Sequence, residues 1–176
     1  WTRQILDYYE ELGRPKMSGI LITHGHGDHI GGLDRLQEAM DCPVRCHPKL
    51  APRLAQNLGK DCVVSLRSRE MIPAGGGITL KALFTPGHEE DHVCYYLRAD
   101  RALFSGDNIL GNSSSSVRNL KQYMASLDIM AQQKPSIICP GHGQIVHNGT
   151  ARVQWYLNHR REREGQVLAT LGNGAS

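Results

Sequence analysis

The apolar run Ile20-Leu21-Ile22 leads directly into Thr23-His24-Gly25-His26-Gly27-Asp28-His29, and this junction constrains the fold more than any other feature of the chain. A short run rich in β-branched residues and opened by Gly19 reads as a buried strand. Side chains alternate along extended backbone, so His24 and His26 at the strand end point the same way, and both rings can hold one ion. Asp28 and His29 follow where the chain turns into a helix and can serve a second ion. Imidazole and carboxylate suit zinc, and also iron or manganese.

Three later segments repeat the arrangement. His88 follows Thr85-Pro86-Gly87, Asp107 follows Ser105-Gly106, and His142 sits in Pro140-Gly141-His142-Gly143. Glycine flanks each candidate and permits tight turns and close backbone approach. One histidine after a strand is an ordinary hydrogen-bonded residue, and a single Gly-Asp carries almost no information. Four segments that each place such a residue after an apolar run are much harder to obtain by chance. Strand ends in an α/β sheet are a common location for chemistry.

The remaining periodicities set the frame. Ile5, Tyr9 and Leu12 recur at helical spacing before Gly13. Helices are expected over 31–40, over 48–58 with proline near its start, over 117–130 and over 150–171. Strands are expected over 44–46, 62–66, 78–84, 93–97, 102–104 and 137–139, with a turn at Gly75-Gly76-Gly77 and a serine-rich loop over 112–116. Interleaved strands and helices argue for one α/β layered domain. Of the 176 residues, 40% are hydrophobic and 21% charged, enough apolar content for a sizeable core. A net charge of +3 neither demands nor excludes a nucleic-acid partner. No apolar run approaches the roughly 20 residues of a membrane-spanning helix, and no signal-peptide pattern is present. The five cysteines, Cys42, Cys46, Cys62, Cys94 and Cys139, are odd in number and point to a reducing compartment. Cys42 and Cys46 lack a second pair and read as thiols, not as half of a zinc site.

On these residues the chain resembles the metallo-β-lactamase superfamily, whose His-x-His-x-Asp-His pattern is complete at positions 24 to 29. It is similar in particular to the β-lactamase-like protein 2 family. The segments that carry this are Thr85-Pro86-Gly87-His88-Glu89-Glu90-Asp91-His92, Phe104-Ser105-Gly106-Asp107-Asn108-Ile109-Leu110-Gly111, Tyr123-Met124-Ala125-Ser126-Leu127 and Pro140-Gly141-His142-Gly143. Tyr156, His159, Arg160 and Gln166-Val167-Leu168 also match. The resemblance implies a four-layer αββα sandwich over residues 1–171, N-terminally truncated and missing N-terminal strands, with a disordered tail at 172–176. It implies two Zn(2+) per chain: His24, His26 and His88 hold the first, Asp28, His29 and His142 the second, and Asp107 bridges them.

The activity implied is a two-metal hydrolase that uses an activated water and no serine or cysteine nucleophile. Asp28 orients that water or accepts its proton while remaining a ligand. Members include a mitochondrial endoribonuclease acting on single-stranded RNA, and fungal relatives that hydrolyse acyl-carrier-protein thioesters. RNA cleavage is placed slightly ahead, the carrier-protein thioester next, and β-lactams behind both. The resemblance also implies an intracellular location, in the mitochondrial matrix or the cytoplasm. An inactive truncated fragment whose site never assembles is the third reading. Gly25 replaces a residue that is larger in relatives. His92 reads as structural, His47 and His147 as loop residues, and His159 as packing near the site by resemblance. Arg152, Arg160, Arg161 and Arg163 read as a solvated helix face, with an RNA-backbone contact as the functional alternative.

Overall fold

The computed structural model describes residues 1–173, so the last part of the expected tail, 174–176, lies outside the described residues. The elements are α1 (Thr2–Glu11), β1 (Ile20–Leu21), α2 (Gly27–Ile30), α3 (Leu33–Met40), β2 (Val44–Cys46), α4 (Ala51–Leu58), a 3-10 turn (Lys60–Cys62), β3 (Val63–Ser65), β4 (Met71–Gly75), β5 (Ile78–Phe84), β6 (Val93–Leu97), β7 (Ala102–Gly106), α5 (Leu120–Gln132), β8 (Ile137–Pro140) and α6 (Gly149–Asn173). Helix α6 runs on through Gly172 to Asn173, into the segment expected as the tail.

Strands β1-β2-β3 form a parallel sheet, and β4-β5-β6-β7-β8 form a second sheet that is antiparallel except for its β7–β8 pair. The period-2 pattern of β6 builds two cores at once. Val93 and Tyr95 enter a cluster with Leu66, Ile72 and Ala82 that also touches Leu21 of β1 and so fills the space between the sheets. Cys94 and Tyr96 enter the opposite cluster with Tyr123, Leu127 and Met130 of α5 and Val153, Tyr156 and Leu157 of α6. Ile22, Val44 and Cys46 meet Leu33 of α3 and Leu50 and Leu54 on the outer face of the small sheet. The layers thus run α, β, β, α, the sandwich expected from the sequence. Each fully buried leucine contributes about 1.5–3 kcal/mol.

Two hydrogen bonds tie the sheets together beside the histidine segment. The Tyr95 hydroxyl donates to the Ile22 carbonyl at 2.7 Å, and the Val93 N–H donates to the Thr23 carbonyl at 2.7 Å. They fix the end of β1 against the start of β6, where the loop carrying His88 finishes.

Several boundaries differ from expectation for local reasons. The helix expected over 31–40 begins only at Leu33, after Gly32 at φ 82, and the short helix α2 stands before it. The helix expected from 117 begins at Leu120, where the Asn119 side chain accepts from the Gln122 N–H at 3.0 Å and caps it. Strand β4 was not expected: it is an edge strand with Pro73 inside it and only Ile72 buried. Before β1 the chain forms helix α1 and no strand. Among the described residues no helix is long and apolar enough to cross a membrane.

Candidate metal centre

Strands β5 and β7 each pair antiparallel with β6, and β8 runs parallel to β7, so all three point the same way. Their C-terminal ends carry His88, Asp107 and His142. The inter-sheet hydrogen bonds bring the end of β1 to the same rim. There His26 stands at the N-cap position of α2, with Asp28 in its first turn and His29 in its last. All seven residues singled out in the sequence therefore meet at one end of the sandwich.

They fall into two groups. Ligand atoms of His24, His26, His88 and Asp107 lie within 4.8 Å of one another, as do those of Asp28, His29 and His142. Asp107 reaches both groups. Its Oδ2 lies 3.9 Å from His24 Nε2, 3.7 Å from His88 Nε2 and 3.6 Å from His142 Nε2, and its Oδ1 lies 3.3 Å from His29 Nε2. His142 Nε2 is also 3.0 Å from Asp28 Oδ2.

The donor set fits a pair of cations. Among the described residues His24 Nε2, His29 Nε2 and Asp107 Oδ1 are buried without a well-formed hydrogen bond, the last two facing each other at 3.3 Å. Buried polar atoms are nearly always paired, and each orphan costs about 1–3 kcal/mol. Three such atoms converging on one spot, two from imidazoles and one from a carboxylate, match what a divalent ion takes. Burial, with the nearby charge of His29, holds His24 down at about 3, so its ring is neutral with a free lone pair. Burial pulls Asp107 upward, but His29 and the neighbouring histidines outweigh it and hold the carboxyl at about 2, ionised.

Other residues hold this cluster in place. His92 is fully buried, and burial keeps it neutral. Its Nε2 accepts from the Asp107 N–H at 3.2 Å, so its Nδ1 carries the proton and faces Thr85 Oγ1 at 3.1 Å. The Thr85 hydroxyl in turn donates to Cys94 Sγ at 3.2 Å. Gly141 must be glycine: a Cβ there would overlap Asp107 Oδ1 and lie 2.8 Å from His29 Cε1.

The arginines of α6 correct the sequence reading. Arg152 Nη2 donates to the carbonyls of Leu110, Gly111 and Ser113 at 3.0, 3.1 and 3.2 Å. Arg160 donates to the Ser115 carbonyl and lies over the Tyr123 ring at 5.3 Å. Between them the Tyr156 hydroxyl donates to Ser113 O at 2.6 Å. Neither arginine belongs to a solvated face. Together they anchor the serine loop, whose Ser116 carbonyl faces His88 Nδ1 at 2.9 Å. Spacing of four along a helix, 152–156–160, was the available signal. His159 stacks on Trp155 at 5.0 Å instead of joining the cluster, and His47 packs 4.2 Å from Phe84.

A cleft of about 530 Å³ opens beside His26, walled by Lys49, Arg53, Glu89, Asp91, Arg118 and Gln122. Gly25 makes room for part of that wall. A Cβ at this position would collide with the Arg53 guanidinium, which donates to the Gly25 carbonyl.

The metal-free protein should lose stability in acid. An unfolded chain protonates His24 near 6.5, whereas the folded chain does so only at about 3. Between those values the unfolded state binds more protons, so stability falls as pH falls. His92 acts in the same direction, while His29, raised by the adjacent Asp107 carboxylate, works against them. Thermal unfolding of chelator-treated protein should show a Tm that declines below pH 6.5; a rising Tm would contradict this electrostatic description.

Residues 1–142 match the family model described as Metallo-beta-lactamase superfamily. The chain is 36% identical over 174 residues to the lactamase-like protein adaB of Aspergillus niger, a match covering 97% of this chain and 51% of that protein. It thus spans about half the length of the curated relatives it matches. The metallo-beta-lactamase family protein TTHA1429 from Thermus thermophilus superposes with a TM-score of 0.75 at 24% identity, over 96% of this chain and 70% of that one. TTHA1623, solved in a di-iron-bound form, gives a TM-score of 0.69 at 27% identity, over 87% and 83%.

Proposed function

The chain belongs to the metallo-beta-lactamase superfamily, and from that premise we propose that it is a metal-dependent hydrolase in which His24, His26 and His88 would hold one ion and Asp28, His29 and His142 a second, with Asp107 reaching both groups. The observation that carries this reading is the convergence of all seven side chains, with His24 Nε2 buried and unsatisfied among them. When bound, two divalent ions polarise the scissile carbonyl or phosphoryl group and activate water near neutral pH. Zinc is the expected metal, and the nitrogen-rich donor set also suits the iron found in TTHA1623.

The chain's own residues supply the rest. Asp107 fixes the spacing of the two groups. Asp28, with half of its side chain exposed, faces solvent at the rim and orients the attacking water or accepts its proton. Cys46 and Cys94 are not nucleophiles: burial pushes Cys46 up to about 11 and Cys94 up to about 12, so both stay thiols. Free thiols at all five positions suit a reducing compartment, the mitochondrial matrix or the cytoplasm.

For substrate, the charge of the cleft shifts the balance between the two expected classes. The cleft sets Lys49, Arg53 and Arg118 against Glu89, Glu90 and Asp91. Polyanion binding relies on a surplus of cations along the strand, and Arg152 and Arg160 are occupied by the serine loop. An acyl-carrier-protein thioester therefore stands ahead of single-stranded RNA. The RNA reading keeps the support of exposed Arg161 and Arg163 on α6, and the finer kinship to the β-lactamase-like protein 2 family rests on motifs alone. Steady-state assays on the two substrates should show chelator-sensitive thioester turnover at least about tenfold above any RNA cleavage, the factor that 1.4 kcal/mol of preference gives. Chelator-sensitive RNA cleavage with the thioester untouched would reverse the order.

A further inference from the structure

His26 is the least enclosed histidine of its group. Its side chain is 37% exposed, against 0% for His24 and 5% for His88. Packing alone therefore does not hold its ring. Its two nitrogens face opposite ways: Nδ1 lies 3.3 Å from His88 Nε2, inside the cluster, and Nε2 lies 2.5 Å from Glu89 Oε1, outside it. The other two histidines are turned round. Each presents Nε2 to Asp107, and each rests its Nδ1 on a neutral partner, Thr23 Oγ1 at 3.1 Å for His24 and the Ser116 carbonyl at 2.9 Å for His88. His26 alone has a carboxylate behind it.

Glu89 is itself held. Its side chain is 15% exposed, and Arg118 Nε lies 2.9 Å from the same Oε1. The Arg118 N–H donates to the Gly87 carbonyl at 2.9 Å, which ties it to the loop that carries His88. A chain Arg118–Glu89–His26 thus runs from the cleft wall to the ligand cluster.

We infer that Glu89 is a positioning residue for metal binding: it accepts the Nε2 proton of His26, fixes the ring as the tautomer whose Nδ1 lone pair faces the first ion, and increases that ring's electron donation, with Arg118 keeping the carboxylate in place. A carboxylate partner on a ligating imidazole orients the ring and commonly changes metal affinity 10- to 100-fold. The inference rests on the reading that the seven side chains hold two ions, and the test separates the two.

Metal-free parent, Glu89→Ala and Glu89→Gln proteins are titrated with zinc against a chromophoric chelator, and the cobalt(II) spectra of the three are compared. The parent should take up two zinc ions. In Glu89→Ala one binding step should weaken by roughly 10- to 100-fold while the other keeps its affinity, and the visible bands of one cobalt site should shift. Glu89→Gln fills the same space and keeps an acceptor oxygen without the charge, so it should recover part of the lost affinity. Two unchanged steps in Glu89→Ala, or equal weakening of both, would overturn the role of Glu89 and leave the metal centre standing. A parent that binds no zinc would overturn both readings together.

Discussion

Replacing Asp107 with alanine should remove bound metal and hydrolysis together while leaving the fold intact. This carboxylate approaches ligand atoms of both groups, with Oδ1 3.3 Å from His29 and Oδ2 between 3.6 and 3.9 Å from His142, His88 and His24. Without it, His24, His26 and His88 keep no carboxylate in their group to attract a cation, and Asp28 alone serves the other group. A metal centre supplies several kcal/mol of transition-state stabilisation, and each 1.36 kcal/mol is tenfold in rate, so the loss should be on the order of 10³-fold or more. The backbone is spared, because the hydrogen bond from the Asp107 N–H to His92 does not use the side chain. Circular dichroism of Asp107→Ala should therefore match the parent while elemental analysis shows depleted metal. Full activity in this variant would contradict the proposed centre.

The largest effect on stability is expected at Gly87→Ala. Gly87 has φ +136, a conformation that side chains rarely adopt, and α5 packs directly on it. A Cβ would stand 2.5 Å from the backbone nitrogen of Tyr123 and 2.6 Å from its Cβ. Neither is the end of a flexible side chain, so the helix or the loop must move. Tyr123 has little freedom to do so, since it is fully buried among Leu127, Met130 and Tyr156 and its hydroxyl donates to the Asn108 carbonyl. Backbone strain of about 1–3 kcal/mol and overpacking of about 1–3 kcal/mol add to roughly 2–6 kcal/mol. At about 2–4 °C per kcal/mol for a chain of this size, Tm should fall by on the order of 10 °C. Movement of the loop also displaces His88, so metal affinity should fall with stability. An unchanged Tm would show that the loop is not held against α5 as described.

The seven clustered residues were legible because each sits where a strand runs out, and a strand end can be read from a short apolar run followed by glycine. The core strands were legible for a similar reason: β5 mostly alternates apolar and polar residues, and β6 is a short apolar run that feeds a core on each face. Strand β4 was not, because it lies at an edge, contains Pro73 and buries only Ile72. The start of α3 beyond Gly32 was also hidden, since Gly31 and Gly32 carry no side chain to mark where the apolar period begins. What the pattern lacked most was the set of partners behind the cluster. Glu89 meets His26 across 63 residues, and Arg160 meets the serine loop across 45. Those pairings arise from the way the loops fold over one another, which no local periodicity records. A charged residue on a helix reads as solvated until the loop it binds is in view, and for Arg152 and Arg160 the default reading gave way for that reason.

On the proposed function, the seven clustered side chains take up two metal ions. Elemental analysis of the purified chain after loading with zinc or iron(II) and gel filtration measures it most directly. The expected result is two metal equivalents per chain, removed by chelator in parallel with hydrolytic activity. A folded chain that retains no metal, or one whose hydrolysis continues undiminished once metal is removed, would contradict it.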